Sequence, residues 1–187
     1  MIKEHMLPNP LWSKIWDPSL WPKISTFLWI LCHNKILTWD NLRKRSFHGP
    51  SICPNCKQEE ETTKHLMHSC PLARMLWEKV SFRYQKEGRI NGDIIAIVRS
   101  WAHNPYQSKI LNLLWKLIPG FIMWAIWKER NNKLFKDHHR QLEDIWNIIC
   151  QNIEETLSLK TWYEEDFPSI PQEQSIWANW NFKWKID

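Results

Sequence analysis

Cys53, Cys56, His65 and Cys70 fall within one eighteen-residue stretch of the 187-residue chain. Three thiolates and an imidazole are a standard tetrahedral donor set for a closed, structural zinc site. Pro54 and Asn55 lie between the first two cysteines and favour a tight turn, which lets both sulfurs reach one ion. His65 and Cys70 are five apart, so they cannot share one face of a continuous helix, and the chain is expected to break between them. Pro71 biases Cys70 toward extended backbone and suits the first position of a following helix. The Cys70 thiolate would then sit at a helix N-terminus, where partial positive charge favours the anion. His68 is the rival imidazole, but two residues from Cys70 is a cramped spacing, so His65 is preferred. A redox pair would call for a βαβ setting, which the pattern lacks. A disulfide framework is disfavoured by the odd count of five cysteines and the absence of an apolar leader in MIKEHMLPNP. One structural Zn²⁺ in an intracellular protein, nuclear or cytoplasmic and not secreted, is the expectation.

The elements that must hold this site read as helices. Glycine is scarce (4), hydrophobic content is 43%, and strand-like alternation is rare. Leu11, Trp12, Ile15 and Trp16 follow helical spacing up to Asp17-Pro18. Pro22 opens a second helix with Ile24, Phe27, Leu28 and Leu31 on one face and Cys32 buried within it. Thr38 is read as the N-cap of a helix over 39–46. A turn over 59–66 would carry His65, and Leu72, Met75, Leu76 and Val80 stripe the helix after Pro71. Gly88 to Gly92 reads as a loop, and Asp93 as the cap of a helix broken at Asn104-Pro105. Ile110 to Trp127 is almost wholly apolar and about one membrane span long. Asn112, Lys116 and Pro119-Gly120 argue instead for a buried helix, or two shorter ones kinked at Pro119. A last helix over 140–162, joined by a short connection through Asp137, His138 and His139, would close an antiparallel hairpin. The two histidines point only weakly to a second metal. Residues 171–174 read as a linker, and 181–187 alternate like a strand.

The fold class expected is therefore mainly α: a small helical domain around a Cys3His zinc knuckle, followed by a helical hairpin. The chain divides into 8–80 (the zinc module), 93–163 (the helical region) and 164–187 (linker and terminal strand). Fifteen tryptophans must mostly lie in cores. The net charge of +5 and pI near 9.0 suit nucleic acid without requiring it. Arg43, Lys44 and Arg45, with Lys57 and Lys64 nearby, are the candidate phosphate contacts. Phe47 and His48 are candidate stacking groups. The bland alternative for the basic run is a solvated helix end, where cations suit the dipole.

The run Leu11-Trp12-Ser13-Lys14-Ile15-Trp16 is followed by Pro22-Lys23-Ile24-Ser25-Thr26-Phe27-Leu28-Trp29 and Leu42-Arg43-Lys44-Arg45. Then come Cys53-Pro-Asn-Cys56, Glu61-Thr62-Thr63-Lys64-His65-Leu66, Cys70-Pro71-Leu72-Ala73 and Trp77. This ordered set, over roughly residues 8 to 80, resembles the reverse-transcriptase zinc-binding domain of plant LINE-type retrotransposons. The resemblance implies Cys53, Cys56, His65 and Cys70 as metal ligands, in agreement with the spacing. Ile126-Trp127-Lys128-Glu129-Arg130-Asn131-Asn132 resembles the helical region that follows this module in such polyproteins. Lys183 to Asp187 is similar to the first strand of their ribonuclease H-like domain. A two-metal nuclease needs several converging carboxylates, and the paired aspartates of a polymerase are absent. The implied role is a non-catalytic module that binds RNA or DNA without sequence preference. The alternatives are a spacer that docks on polymerase or nuclease domains of the parent polyprotein, or an inert remnant.

Overall fold

A computed structural model describes residues 10–85, 93–101 and 103–182. Eight α-helices occur among them: α1 (Pro10–Ile15), α2 (Pro22–Cys32), α3 (Trp39–Arg43), α4 (Pro71–Arg83), α5 (Ile94–Ser100), α6 (Lys109–Phe135), α7 (Leu142–Ser158) and α8 (Pro171–Trp180). No named strand lies among the described residues. A single antiparallel bridge pairs Ile52 with Glu60. The chain is mainly α, with the Cys3His cluster between α3 and α4.

Four of the helices begin with proline, Pro10 in α1 among them. Pro22, Pro71 and Pro171 each occupy the first position, where a missing N–H costs nothing. Asp93 caps α5, its carboxylate accepting from the Ala96 N–H at 2.7 Å. Thr38 precedes α3 as expected, but its hydroxyl donates to Asp40 at 2.6 Å and does not cap the helix.

The central element is α6, whose 27 residues span about 40 Å at 1.5 Å per residue. It runs through Pro119 as one helix rather than two. It is long and apolar enough to cross a membrane, yet 72% of its most apolar window is buried inside the fold. Its neighbours supply the cover: α7 packs back along it after a short connection, and α2, α4 and the segment carrying His65 pack on its other sides. Gly120 allows the closest approach. A Cβ there would meet Ile24 Cγ2 at 2.9 Å and Leu20 Cδ1 at 3.1 Å, so glycine is what lets the start of α2 lie against α6.

One hydrophobic core runs from Leu11 to Trp180 and takes residues from both the zinc module and the helical region. Trp77, Trp101, Trp115, Trp146 and Trp180 are buried in it, while Trp16 and Trp29 are exposed. The Trp77 indole donates to the Met67 carbonyl at 3.0 Å, just beside the metal cluster. Cys32 and Cys150 are packing residues whose thiols burial pushes up to about 12 and about 11, so neither is nucleophilic at neutral pH.

Two expectations need correction. Residues 171–174, read as linker, open helix α8: Ile176 and Trp180 are buried against the core, and Trp180 stacks on Trp146. The polar stretch hid this because only one face of α8 is apolar. The helix predicted over 39–46 ends at Arg43, with Ser46 in left-handed backbone. The strand reading of 181–187 rests mainly on 183–187, and the loop reading of 88–92 on that segment; both lie outside the described residues.

Candidate metal centre

A short hairpin presents the first two ligands. Glu61 N donates to Ser51 O at 2.7 Å and Cys53 N to Glu59 O at 2.8 Å, which closes the two arms. At the tip, Lys57 N donates to Cys53 O at 2.8 Å, and Lys57 adopts φ 54°, reversing the chain just after Cys56. The Cys53-Pro-Asn-Cys56 turn is thereby held with both thiols on one side.

The second pair arrives differently from the expected clean break. Residues His65–Ser69 form a π-helical turn, closed by the i→i+5 bond from Cys70 N to His65 O at 2.7 Å. A π turn inserts one extra residue into an α turn and is often found at functional sites. Here it lets two residues five apart reach one point, which an α-helix forbids. The backbone then leaves the helix at Cys70 (φ −57°, ψ 137°), as Pro71 demands.

The ligand atoms of Cys53, Cys56, His65 and Cys70 all lie within 4.8 Å of one another. Cys56 Sγ is 3.3 Å from His65 Nε2. Tetrahedral Zn–S and Zn–N bonds of about 2.3 and 2.0 Å place neighbouring donors at separations of this order. The donor set and its spread therefore fit one zinc ion. Four protein donors would complete a tetrahedral shell around such an ion. Cys53 and Cys70 are fully buried and His65 is 4% exposed, while Cys56 is half-buried at the rim of the site. His68 is not in the cluster.

The surroundings tune these groups. Cys70 caps α4. Its thiol is held below the usual range, first by a hydrogen bond with Cys53 and then by the Leu72 and Ala73 amides at the helix start, against the effect of burial. Cys53 is pushed up by donating in that same pair and by burial. Metal binding takes the cysteines as thiolates and so releases their protons. On the other side, His65 Nδ1 lies 3.0 Å from a Glu59 carboxylate oxygen, off the ring N–H axis, as an electrostatic contact. This favours the proton on Nδ1 and leaves Nε2 for the metal.

Sequence reasoning missed the support behind the site. Glu61, 2% exposed, receives Arg130 Nε at 2.7 Å on one oxygen and Arg130 Nη2 at 2.9 Å on the other. The same carboxylate accepts the Trp39 N–H at 2.8 Å, so it caps α3 from another part of the chain. Arg130 also donates to Leu37 O at 3.1 Å and lies over the Trp127 ring. Its neighbour Glu129, 1% exposed, accepts from Arg140 N at 3.1 Å and so holds the connection to α7. Lys133 reaches the knuckle itself, donating to Asn55 O at 3.3 Å. The available signal was a charged pair, Glu129-Arg130, at the end of an apolar helix.

The predicted basic residues are placed as follows. Arg43, Lys44, Arg45, Lys57 and Lys64 are all exposed. Arg43 pairs with Glu60 at 2.9 Å, and Lys44 donates to Asn41 Oδ1 at 3.0 Å. Arg45, Lys57 and Lys64 make no ion pair among the described residues. Phe47 is 57% exposed, and His48 is exposed beside it.

Comparison with known proteins agrees with this geometry. Residues 1–77 match the family model described as zinc-binding in reverse transcriptase. A protein of Arabidopsis thaliana, provisionally named a ribonuclease H protein, is 21% identical over 144 residues, covering 74% of this chain and 23% of the relative. The chain thus spans under a quarter of that relative's length. No solved structure matches. Residues 1–77 are thus similar to the zinc-binding domain of reverse transcriptases, and within them Cys53, Cys56, His65 and Cys70 form a group able to hold one metal ion.

Proposed function

We propose that the chain is a non-catalytic, zinc-folded module of a retroelement polyprotein that binds RNA or DNA through its backbone phosphates. The observation that carries this reading is the set of exposed cations around the knuckle. Arg45 ends the segment before it, Lys57 stands at its tip, and Lys64 immediately precedes His65. Arg43 and Lys44 extend the set. Binding of this kind uses counterion release, so affinity falls steeply with salt and depends little on sequence. Phe47 offers an exposed ring for stacking on an unpaired base.

Zinc does structural work here. Pinning two segments of the Cys53–Cys70 loop contributes on the order of 10 kcal/mol in structural sites. A donor set that completes the tetrahedral shell supports a non-catalytic role. The relative's named ribonuclease H activity belongs to a much longer protein, and its chemistry is not transferred to this chain.

The test is a salt titration of the zinc-loaded chain with labelled single-stranded and duplex oligonucleotides. A linear, steep fall of log affinity with log salt is expected. Affinity that is unchanged between low and high salt would sink the reading.

A second reading has its own observation. Leu37, Ile52, Leu134 and Phe135 are all exposed, at 45%, 55%, 46% and 73%. Leu37 and α6 meet at Arg130, and α6 meets the knuckle at Lys133. Such apolar exposure suits docking on a polymerase or nuclease domain. Charge-neutralised knuckle variants that leave every interaction of the chain unaltered would favour it.

A further inference from the structure

Along the second half of α6 and the elements beside it, four cations are placed that sequence reasoning did not single out as a group. Lys23 lies in the first turn of α2, Lys128 near the end of α6, Lys136 at its C-cap, and Arg140 in the connection to α7. Partial burial first, and then the charges of Arg140, Lys23 and Lys136, hold the Lys128 ammonium below its usual range. Lys23, Lys128 and Lys136 make no ion pair among the described residues. Arg140 pairs with Glu129 at 3.4 Å, and Asp137 faces His139 at 3.3 Å. Gathering like charges costs free energy that a bound anion would return.

The ground between them is aromatic. Lys128, Arg140 and Trp124 line a cleft between α6 and α7 with Glu129 and Asn152. Trp124 is half-buried and held edge-on against Phe27, with ring centroids 5.3 Å apart. Trp21 is likewise half-buried, edge-on to Phe121 at 5.3 Å, with Lys23 Nζ 4.3 Å from its centroid. Both rings are fixed on the core side and partly open on the other. Cations spread over three elements suit a polyanion better than a single phosphate, and interleaved indoles suit unpaired bases.

We propose that Lys23, Lys128, Lys136 and Arg140, with Trp21 and Trp124, form a second contact surface for single-stranded nucleic acid, distinct from the knuckle. This rests on the reading of the chain as a nucleic-acid-binding module and names where the strand runs beyond the zinc site. Arg140 is left unaltered in the test because its bond to Glu129 is structural.

The experiment uses the full zinc-loaded chain and fluorescein-labelled U20 and dT20 across a salt series. The variants are K23Q/K128Q/K136Q and, removing the same charge at the knuckle, R45Q/K57Q/K64Q. Zinc content and helicity are checked for each. The expected result is binding by the native chain, and for K23Q/K128Q/K136Q a loss of about tenfold or more. Its salt slope should fall by about 2, since each single-strand phosphate contact contributes about 0.7. A matching loss in the knuckle variant leaves this result in support. Native-like binding by K23Q/K128Q/K136Q with loss only in R45Q/K57Q/K64Q overturns the second surface while the proposed function stands. No oligonucleotide binding by the native chain overturns both, as does binding to phosphatidylserine vesicles in its place.

Discussion

The guanidinium of Arg130 and the carboxylate of Glu61 meet through two hydrogen bonds, 2.7 and 2.9 Å, across 69 positions of sequence. Glu61 lies four residues before His65, and Arg130 near the end of the longest helix. The pair therefore ties the zinc hairpin to the central helix, and through the Trp39 amide it also fixes α3.

Removing one partner should be costly. Arg130→Ala leaves a buried, uncompensated carboxylate, which typically costs about 3–5 kcal/mol. Denaturant unfolding at saturating zinc reads this directly. Arg130→Met with Glu61→Leu should recover much of the loss, because two apolar groups leave no orphaned charge. A single variant as stable as the native chain would show that the pair is not a brace.

One zinc per chain is expected by metal analysis. His65→Ala should lose it, and His68→Ala should keep it. Chelation should unfold the Cys53–Cys70 loop first, seen as new hydrogen exchange at Cys53, Glu61 and Cys70 amides, all of which are bonded in the folded protein. Retention of full zinc by His65→Ala would reassign the fourth ligand.

The C-terminal segment should carry a pH signature. Lys109 Nζ lies 2.7 Å from Asp166, and Asp166 also accepts the Tyr163 N–H at 3.0 Å. Lys109, and then that amide, hold the Asp166 carboxyl below its ordinary 3.8. Its folded value is depressed, so its contribution is present above about pH 4 and lost as pH falls through the folded value. Lys109 is raised above 10.5 by Asp166, so its contribution is complete below that pH and lost as pH rises through the folded value. Stability from the pair is thus full between those limits. Asp166→Asn should flatten the acid limb of a stability–pH curve, and an unchanged limb would remove the pair from the account.

Gly120 should resist substitution. Alanine gains about 1 kcal/mol in helix propensity, but its Cβ would press on Ile24 at 2.9 Å and Leu20 at 3.1 Å. Overpacking costs about 1–3 kcal/mol, so Gly120→Ala should be mildly destabilising and Gly120→Leu severely so. Thermal melts would show the order, and a stabilised alanine variant would mean that α2 can shift away.

The metal cluster was legible because its chemistry is local: four side-chain types at short spacing, with Pro71 marking the exit. Helix starts at Pro22, Pro71 and Asp93 were legible for the same reason. What sequence could not show was pairing at a distance. Glu61 and Arg130 stand 69 positions apart, and only the fold brings them together out of water. Helix α8 was hidden because its polar face dominates the composition, while Ile176 and Trp180, with Trp177 at the margin, meet the core. The π turn was missed because spacing alone distinguishes a broken helix from a widened one only when the backbone is seen.

That widened turn works as a ruler. An α turn with one residue added brings positions five apart together. Side chains between His65 and Cys70 can vary, within what the buried Leu66 and Met67 require. The number of residues is more tightly bound to the rest of the fold. Deleting one would leave the ligands at i and i+4, which an ordinary α turn also brings to one face, but would turn and draw back Pro71 and α4 against the core, and inserting one would carry Cys70 away from His65. The spacing between the two ligands is thus coupled to the path of the chain into α4, whereas the identities of the side chains between them are coupled only to the packing around Leu66 and Met67.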